Sequence, residues 1–528
     1  MNTTMPYPSQ RAPLLARNMV ATSQPLAAQA GLAMLHAGGN AVDAALAAAI
    51  TLTVVEPIMN GIGGDLYALV WCDNTLHGLD ATGAAPQAWT PGRFAGLSEM
   101  PRTGWDSVTV PGQVSGWKAL SDRFGSLPFA QLFQPAIRYA EDGFAVSPVI
   151  ASVWPALADL VKHVPGFADA FLPQGHAPVA GSWWRFPDQA RTLADIAATG
   201  GDAFYRGALA RKMVACAREA GGALSEQDLD AQVARWVSPL SLAYRELHLH
   251  EMPPNGQGIA AQMALGMLKH FDLRASGVDT AATLHLQIEA MKLAFADLHA
   301  HVADPRAMKV TAGDLLDSAY LAARARGIDP ARASAPLPGV PRQGGTVYLT
   351  AADASGCMVS LIQSNYYAFG SGIVVPGTGV ALHNRGWNFS LQPGHPNEVG
   401  PGKKPLHTII PGFVTDASGA PHMALGVMGG FMQAQGHVQM MCRASDFGQN
   451  PQAMIDAPRF MVSPIDATVK LEAHMPVDVA EGLRARGHRV EVLPTGHLDF
   501  GAAQVIQRVG PHYIGGSDGR RDGQVVGF

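Results

Sequence analysis

One junction constrains this 528-residue chain more than any other feature. Residues 327–345, GIDPARASAPLPGVPRQGG, hold four Pro and four Gly and almost no large apolar side chain. That composition reads as an exposed, mobile linker. It runs through Gly344-Gly345 into TVYLTAA (346–352), a buried-type strand, followed by the turn DASG (353–356) and a second strand, CMVSLIQS (357–364). A Thr that opens a strand is ordinarily a β-former or a cap. The other reading is an N-terminal nucleophile. There Thr346 Oγ attacks the Gly345 carbonyl, the peptide shifts from amide to ester, and water cleaves the ester. Gly345 lacks the Cβ that would obstruct a strained scissile peptide. The freed α-amine has a reference pKa of about 7.7–8.0, so it can serve as general base for its own hydroxyl.

Such a nucleophile needs an oxyanion hole. GVMGGFMQAQG (426–436) reads as a strand end, the pair Gly429-Gly430 and a helix. Two adjacent N–H groups at a helix N-terminus can face a developing oxyanion. The string fits a plain strand-to-helix turn equally well. It lacks the Walker spacing and its Lys, so it is not read as a phosphate loop. No G-x-S-x-G elbow followed by a helix supports a Ser-His-Asp hydrolase.

Elsewhere the patterns are ordinary. PLAAQAGLAMLH (25–36) has helical spacing, and Asn40 caps a second helix over about 41–54. NGIGGD (60–65) is a glycine turn, and 66–72 an alternating strand. Helices are expected to dominate from about 112 to 300. The longest spans 281–302, with Leu284, Ile288, Met291, Phe295 and Leu298 as a core stripe. Past the linker, strands and turns are expected, with one clear helix after Gly429-Gly430. Hydrophobic residues at 48% and charged residues at 15% exclude disorder. A net charge of −5 gives no reason to expect nucleic acid or an anionic membrane as partner. The most apolar stretch, 41–55, is shorter than the roughly 20 residues of a membrane span. Cys72, Cys216, Cys357 and Cys442 form no CxxC pair, and the N-terminus lacks a signal-like apolar core. We expect four separate buried thiols in a cytoplasmic, reducing setting. The H-x-H strings at 248–250 and 299–301 lack a third ligand, so no metal is expected. Glu289 and Asp297, near Lys292, read as a structural network.

Several stretches together carry a resemblance: GGNAVDAALAA (38–48), GIGGD (61–65), TVPGQVSGW (109–117), PAIRYAEDGFAVS (135–147), FGSGIVVPGTGVALHN (369–384), MIDAPRF (454–460) and GRRDG (519–523). Over nearly its full length the chain resembles the γ-glutamyltransferase superfamily. The resemblance implies an α+β fold, a four-layer αββα N-terminal nucleophile hydrolase sandwich. It implies self-cleavage into a large fragment, 1–345, and a small fragment, 346–528, which together form one unit, with a dimer of such pairs. The implied activity is amide hydrolysis or acyl transfer, with no cofactor. The nucleophile falls on Thr346, the hydroxyl that tunes it on Ser364, and the oxyanion pair on Gly429 and Gly430.

The departures bear on substrate. Where the superfamily holds a γ-glutamyl α-carboxylate with Arg, DATGAAP (80–86) offers Thr82. The Asp that grips the substrate amine becomes Asn388, a Gln becomes Arg385, an Asn becomes Tyr366, and a Ser-Ser pair becomes His407-Thr408. With both charged clamps gone, γ-glutamyl transfer is not expected. Arg385, Tyr366 and His407, with Trp387, would shrink the pocket and leave a positive element that suits a carboxylate. The expected substrate is a small acidic amide, foremost oxamate, giving oxalate and ammonia. A glutaryl-type acylase or a γ-glutamyl hydrolase is the alternative within the superfamily. A non-catalytic relative that binds a metabolite or partner protein is the alternative outside it. Arg385 also fits a structural ion pair, and His407 a satisfied core histidine.

Overall fold

A computed structural model describes residues 10–334 and 345–528. Two seven-stranded sheets stack face to face. One runs Gln524–Gly527, Met19–Thr22, Gly345–Ala352, Met358–Tyr366, Asp65–Cys72, Thr75–Ala81 and Arg235–Val237. The other runs Leu14–Ala16, His512–Ser517, Ala502–Val509, Pro421–Met428, Gly412–Asp416, Leu247–Glu251 and Leu240–Tyr244. Each sheet takes strands from both sides of the 345/346 junction. The sheets meet closely. A Cβ on Gly426 would lie 2.3 Å from the Tyr348 ring, so only glycine fits there.

Helices cover both outer faces. Ala41–Val55 lies on the first sheet beside Pro25–His36, and all fifteen of its residues are buried. Its many alanines permit that close approach. Asn40 caps it as expected, in a capping box with Asp43. Gly258–Leu268 and Met432–Ser445 pack on the second sheet, and Ala281–His301 packs against both of those helices. This is the expected αββα sandwich. The stripe on Ala281–His301 is core at all five named positions. No helix among the described residues is long and apolar enough to cross a membrane.

Some expectations need correction. The nominally helical region also holds the strands Arg235–Val237, Leu240–Tyr244 and Leu247–Glu251; the first two are sheet edges, and the third lies just inside one. The region after the glycine pair adds two further helices, Pro451–Asp456 and Val477–Ala485. Of the linker, 335–344 lie outside the described residues, and Ile328 at its start is buried. The four cysteines are not separate thiols. Cys72 and Cys357 are disulfide-bonded, with Cα atoms 4.7 Å apart. The register explains it: Trp71 pairs with Met358, so the next residues on the two strands meet. Cys216 is half-buried and Cys442 buried, both free.

Candidate active site

Three neighbouring strands bring Thr346, Ser364 and Asp65 together. Ser364 pairs directly with Asp65, so their side chains share one face. A register shift between Gly345 and Val347 sets Thr346 opposite Ser364. Thr346 is buried, and its Oγ1 donates to Ser364 Oγ at 3.2 Å. Ser364 Oγ also accepts from the Tyr366 N–H at 2.7 Å. Tyr366 carries a positive φ of 76°, strained for a bulky residue. The bend ends the strand and sets its ring over Arg385, 4.2 Å from the guanidinium carbon.

Gly429 and Gly430 lie between Pro421–Met428 and Met432–Ser445, with φ of 124° and 62°. These values favour glycine. Neither N–H donates to another backbone carbonyl among the described residues. The Gly430 carbonyl is held by Gln257 Nε2 at 2.8 Å, which also donates to the Thr408 carbonyl at 2.5 Å. Thr346 and Gly429 share the wall of a cavity of about 230 Å³. Met59, Leu157, Met428, Phe431, Met461, Ile465 and Leu498 make that wall largely apolar, and His497, Asp499 and Arg521 add polar groups.

The five expected substrate contacts also converge, but none of them lines that cavity. Arg385, His407 and Thr408 are fully buried. Arg385 Nη1 donates to Thr408 Oγ1 at 2.8 Å, while its Nε and Nη2 meet no acceptor among the described residues. Burial lowers the Arg385 pKa to about 10 against the attraction of Asp65. Burial raises Asp65 to about 7, opposed by Arg385 and by the N–H groups of Gly83 and Gly112. His407 Nε2 lies 3.0 Å from Asp65 Oδ2. Burial, then Arg385, holds His407 well below its usual pKa. The Ile409 N–H donates to its Nδ1 at 3.4 Å, which leaves Nε2 as the nitrogen that carries a proton toward Asp65. The Tyr366 hydroxyl donates to Asn388 Oδ1 at 2.7 Å, and Asn388 Nδ2 to the Leu406 carbonyl at 2.6 Å. Thr82 bonds Asp80, and Lys404 Nζ reaches the same carboxylate at 2.7 Å. A cation thus stands near the Thr82 corner after all, supplied from a distant segment.

Sequence reasoning gave no role to Asp65, Gln257 or Gln433. Gln433, in the first turn of Met432–Ser445, donates from Nε2 to Thr346 Oγ1 at 3.1 Å. Asp65 stood in plain view within GIGGD, but nothing local shows that it pairs with Ser364. Glu289 and Asp297 are structural as expected, paired with Lys292 and Arg324. His285, Glu289 and His488 cluster closely enough to hold a metal ion. Yet Lys292 Nζ already sits 2.7 Å from Glu289 Oε1, and the two imidazoles bond each other at 2.8 Å. A cation would have to displace both contacts, so the group reads as a core network.

The family profile described as Gamma-glutamyltranspeptidase matches residues 27–528. The chain belongs to that family. The oxamate amidohydrolase proenzyme of Klebsiella pneumoniae is 37% identical, aligned over 95% of this chain and 97% of that protein. The acylase ACY 1 proenzyme of a Pseudomonas species is 34% identical, over 90% of this chain and 87% of that one. The crystal structure of cephalosporin acylase from Bacillus halodurans superposes with a TM-score of 0.96 at 47% identity, covering 100% of this chain and 99% of that one. Family members with such names cleave amides, and this chain is a hydrolase of the same N-terminal nucleophile fold.

Proposed function

We propose that the chain is a proenzyme that cuts itself between Gly345 and Thr346 and then hydrolyses amides with Thr346. The observation that carries this reading is the placement of Thr346 Oγ, between a hydroxyl and an amide donor on the wall of a cavity shared with Gly429. In the mature enzyme the Thr346 amine takes the hydroxyl proton. Oγ then attacks the substrate carbonyl, the Gly429 and Gly430 N–H groups hold the oxyanion, and the amine or ammonia leaves. Water resolves the acyl-enzyme.

The acyl group we propose ends in a carboxylate, with oxamate as its smallest member. Arg385 supplies the argument: a buried guanidinium with two unpaired donors suits an anion. Tyr366, Asn388, His407 and Thr408 hold Arg385 or its neighbours in place. A second reading, a glutaryl-type acylase, draws on the apolar cavity, which has room for a bulky leaving amine. The test is product release from oxamate and from a glutaryl anilide, side by side. Ammonia from oxamate alone supports the first reading, and amine from the anilide alone the second. A mature protein with position 346 still internal, by mass spectrometry, defeats both. A cytoplasmic home sits poorly with a bonded Cys72–Cys357, because reducing compartments keep such pairs open.

A further inference from the structure

We propose that Gln433 is a further catalytic residue, whose side-chain amide stabilises Thr346 Oγ when that oxygen leaves as an alkoxide. The inference rests on the reading of Thr346 as nucleophile.

Three hydrogen bonds define the arrangement. Gln433 Nε2 donates to Thr346 Oγ1 at 3.1 Å. Gln433 Oε1 accepts the Ile410 N–H at 2.9 Å. That donor can bond only an oxygen, so the amide is oriented with its NH₂ toward the nucleophile. Thr346 Oγ1 spends its own proton on Ser364 Oγ at 3.2 Å. Gln433 is fully buried, so its donor works without competition from water.

The chemistry gives this donor a direction. A hydrogen bond to Oγ lowers its basicity, which does little for attack. When a C–Oγ bond breaks, negative charge gathers on Oγ and the same bond strengthens. Self-cleavage contains such a step. Oγ attacks the Gly345 carbonyl, the C–N bond breaks, and the nitrogen takes the proton to become the free amine. Water then adds to the resulting ester carbon and passes a proton to that amine. The C–Oγ bond breaks, Gly345 leaves as a carboxylic acid, and Oγ recovers a proton from the ammonium. Gln433 assists the second breakage. Resolution of the acyl-enzyme in turnover repeats it.

Self-cleavage tests the idea without a known substrate. The full-length precursor is followed over time on reducing denaturing gels, with and without neutral hydroxylamine, which cleaves esters by direct attack. Gln433→Met keeps the length and removes the donor. Gln433→Glu keeps the Ile410 acceptor and replaces the donor with a second acceptor. We expect both variants to cleave roughly tenfold or more slowly, the size of one lost hydrogen bond. Hydroxylamine should restore cleavage at 345/346. Wild-type rates in both variants would overturn the assignment. So would slow cleavage that hydroxylamine leaves unchanged, because the lost step would then be attack. Thermal melting separates misfolding from chemistry: if Gln433→Met melts early, Gln433→Glu decides. A wild-type chain that never cleaves refutes the nucleophile reading instead.

Discussion

At the scale of single residues, the mutual influence of Asp65 and Arg385 is where specificity and pH response can be tested. If Arg385 binds a carboxylate, Arg385→Ala should raise KM for acidic amides far more than for neutral ones. It also removes the larger of the two opposite charges acting on Asp65, so stability falls too. The double variant Asp65→Asn/Arg385→Met removes both charges and should regain stability without regaining acidic substrates. Equal losses on both substrate classes would return Arg385 to a structural role. The Asp65 pKa, about 7 when folded, stands above the usual carboxylate range. The folded chain therefore holds a proton there that the unfolded chain has released. That contribution is full below about pH 4 and is lost as pH rises through 7. In an uncleaved Thr346→Ala background, Asp65→Asn should remove a falling contribution to the pH dependence of the urea midpoint over that window, while the buried histidines, whose pKa values burial lowers, contribute a rising one to both proteins. Glu56, raised by burial to about 7 as well, leaves a contribution of the same sign as that of Asp65.

At the scale of elements, the proposed mechanism draws on the Thr346 strand and the Gly429–Gly430 turn, which come from opposite sheets. Gly429→Ala must place a Cβ at φ 124°, 3.1 Å from the Gly501 Cα. Turning the N–H away should cost roughly 10²-fold in turnover, as loss of an oxyanion donor does elsewhere. Steady-state rates on whichever amide proves active would show it, with self-cleavage scored in the same preparation. Undiminished turnover would move the oxyanion hole elsewhere. Both elements were legible from sequence, because glycine pairs and alternating strands leave local marks. The strands Leu240–Tyr244 and Leu247–Glu251 left the same mark, with Leu240, Leu242 and Tyr244 alternating. They were overlooked because long helices flank them.

At the scale of the whole molecule, cleavage and the disulfide act together. Cys72 belongs to 1–345 and Cys357 to 346–528, so a cleaved protein stays covalently joined. A non-reducing denaturing gel should show one species near 55.5 kDa, and a reducing gel two. Two bands without reductant would mean the bond is open in solution. Cys72→Ser should separate the fragments on either gel. It should also weaken the uncleaved chain, whose linked cysteines stand 285 residues apart. The interleaved sheets should keep the fragments associated under native conditions.

The sequence alone determined the class of fold, the candidate nucleophile and the glycine turn. The nucleophile and the turn are written in neighbouring residues, a linker meeting a strand and a pair of glycines before a helix, while the class of fold follows from the family resemblance of several stretches together. Only the tertiary structure decided what surrounds Thr346. Gln433 reaches it from the opposite sheet's helix, Asp65 from the strand beyond Ser364, and Cys72 meets Cys357 through strand register. Such contacts join residues scores to hundreds of positions apart, and chain-local periodicity cannot encode which distant side chain arrives. Tertiary packing also buried Arg385 beside Thr408 and Tyr366, behind the residues that line the Thr346 cavity. Buried charges must find partners, and the partners were chosen by the fold.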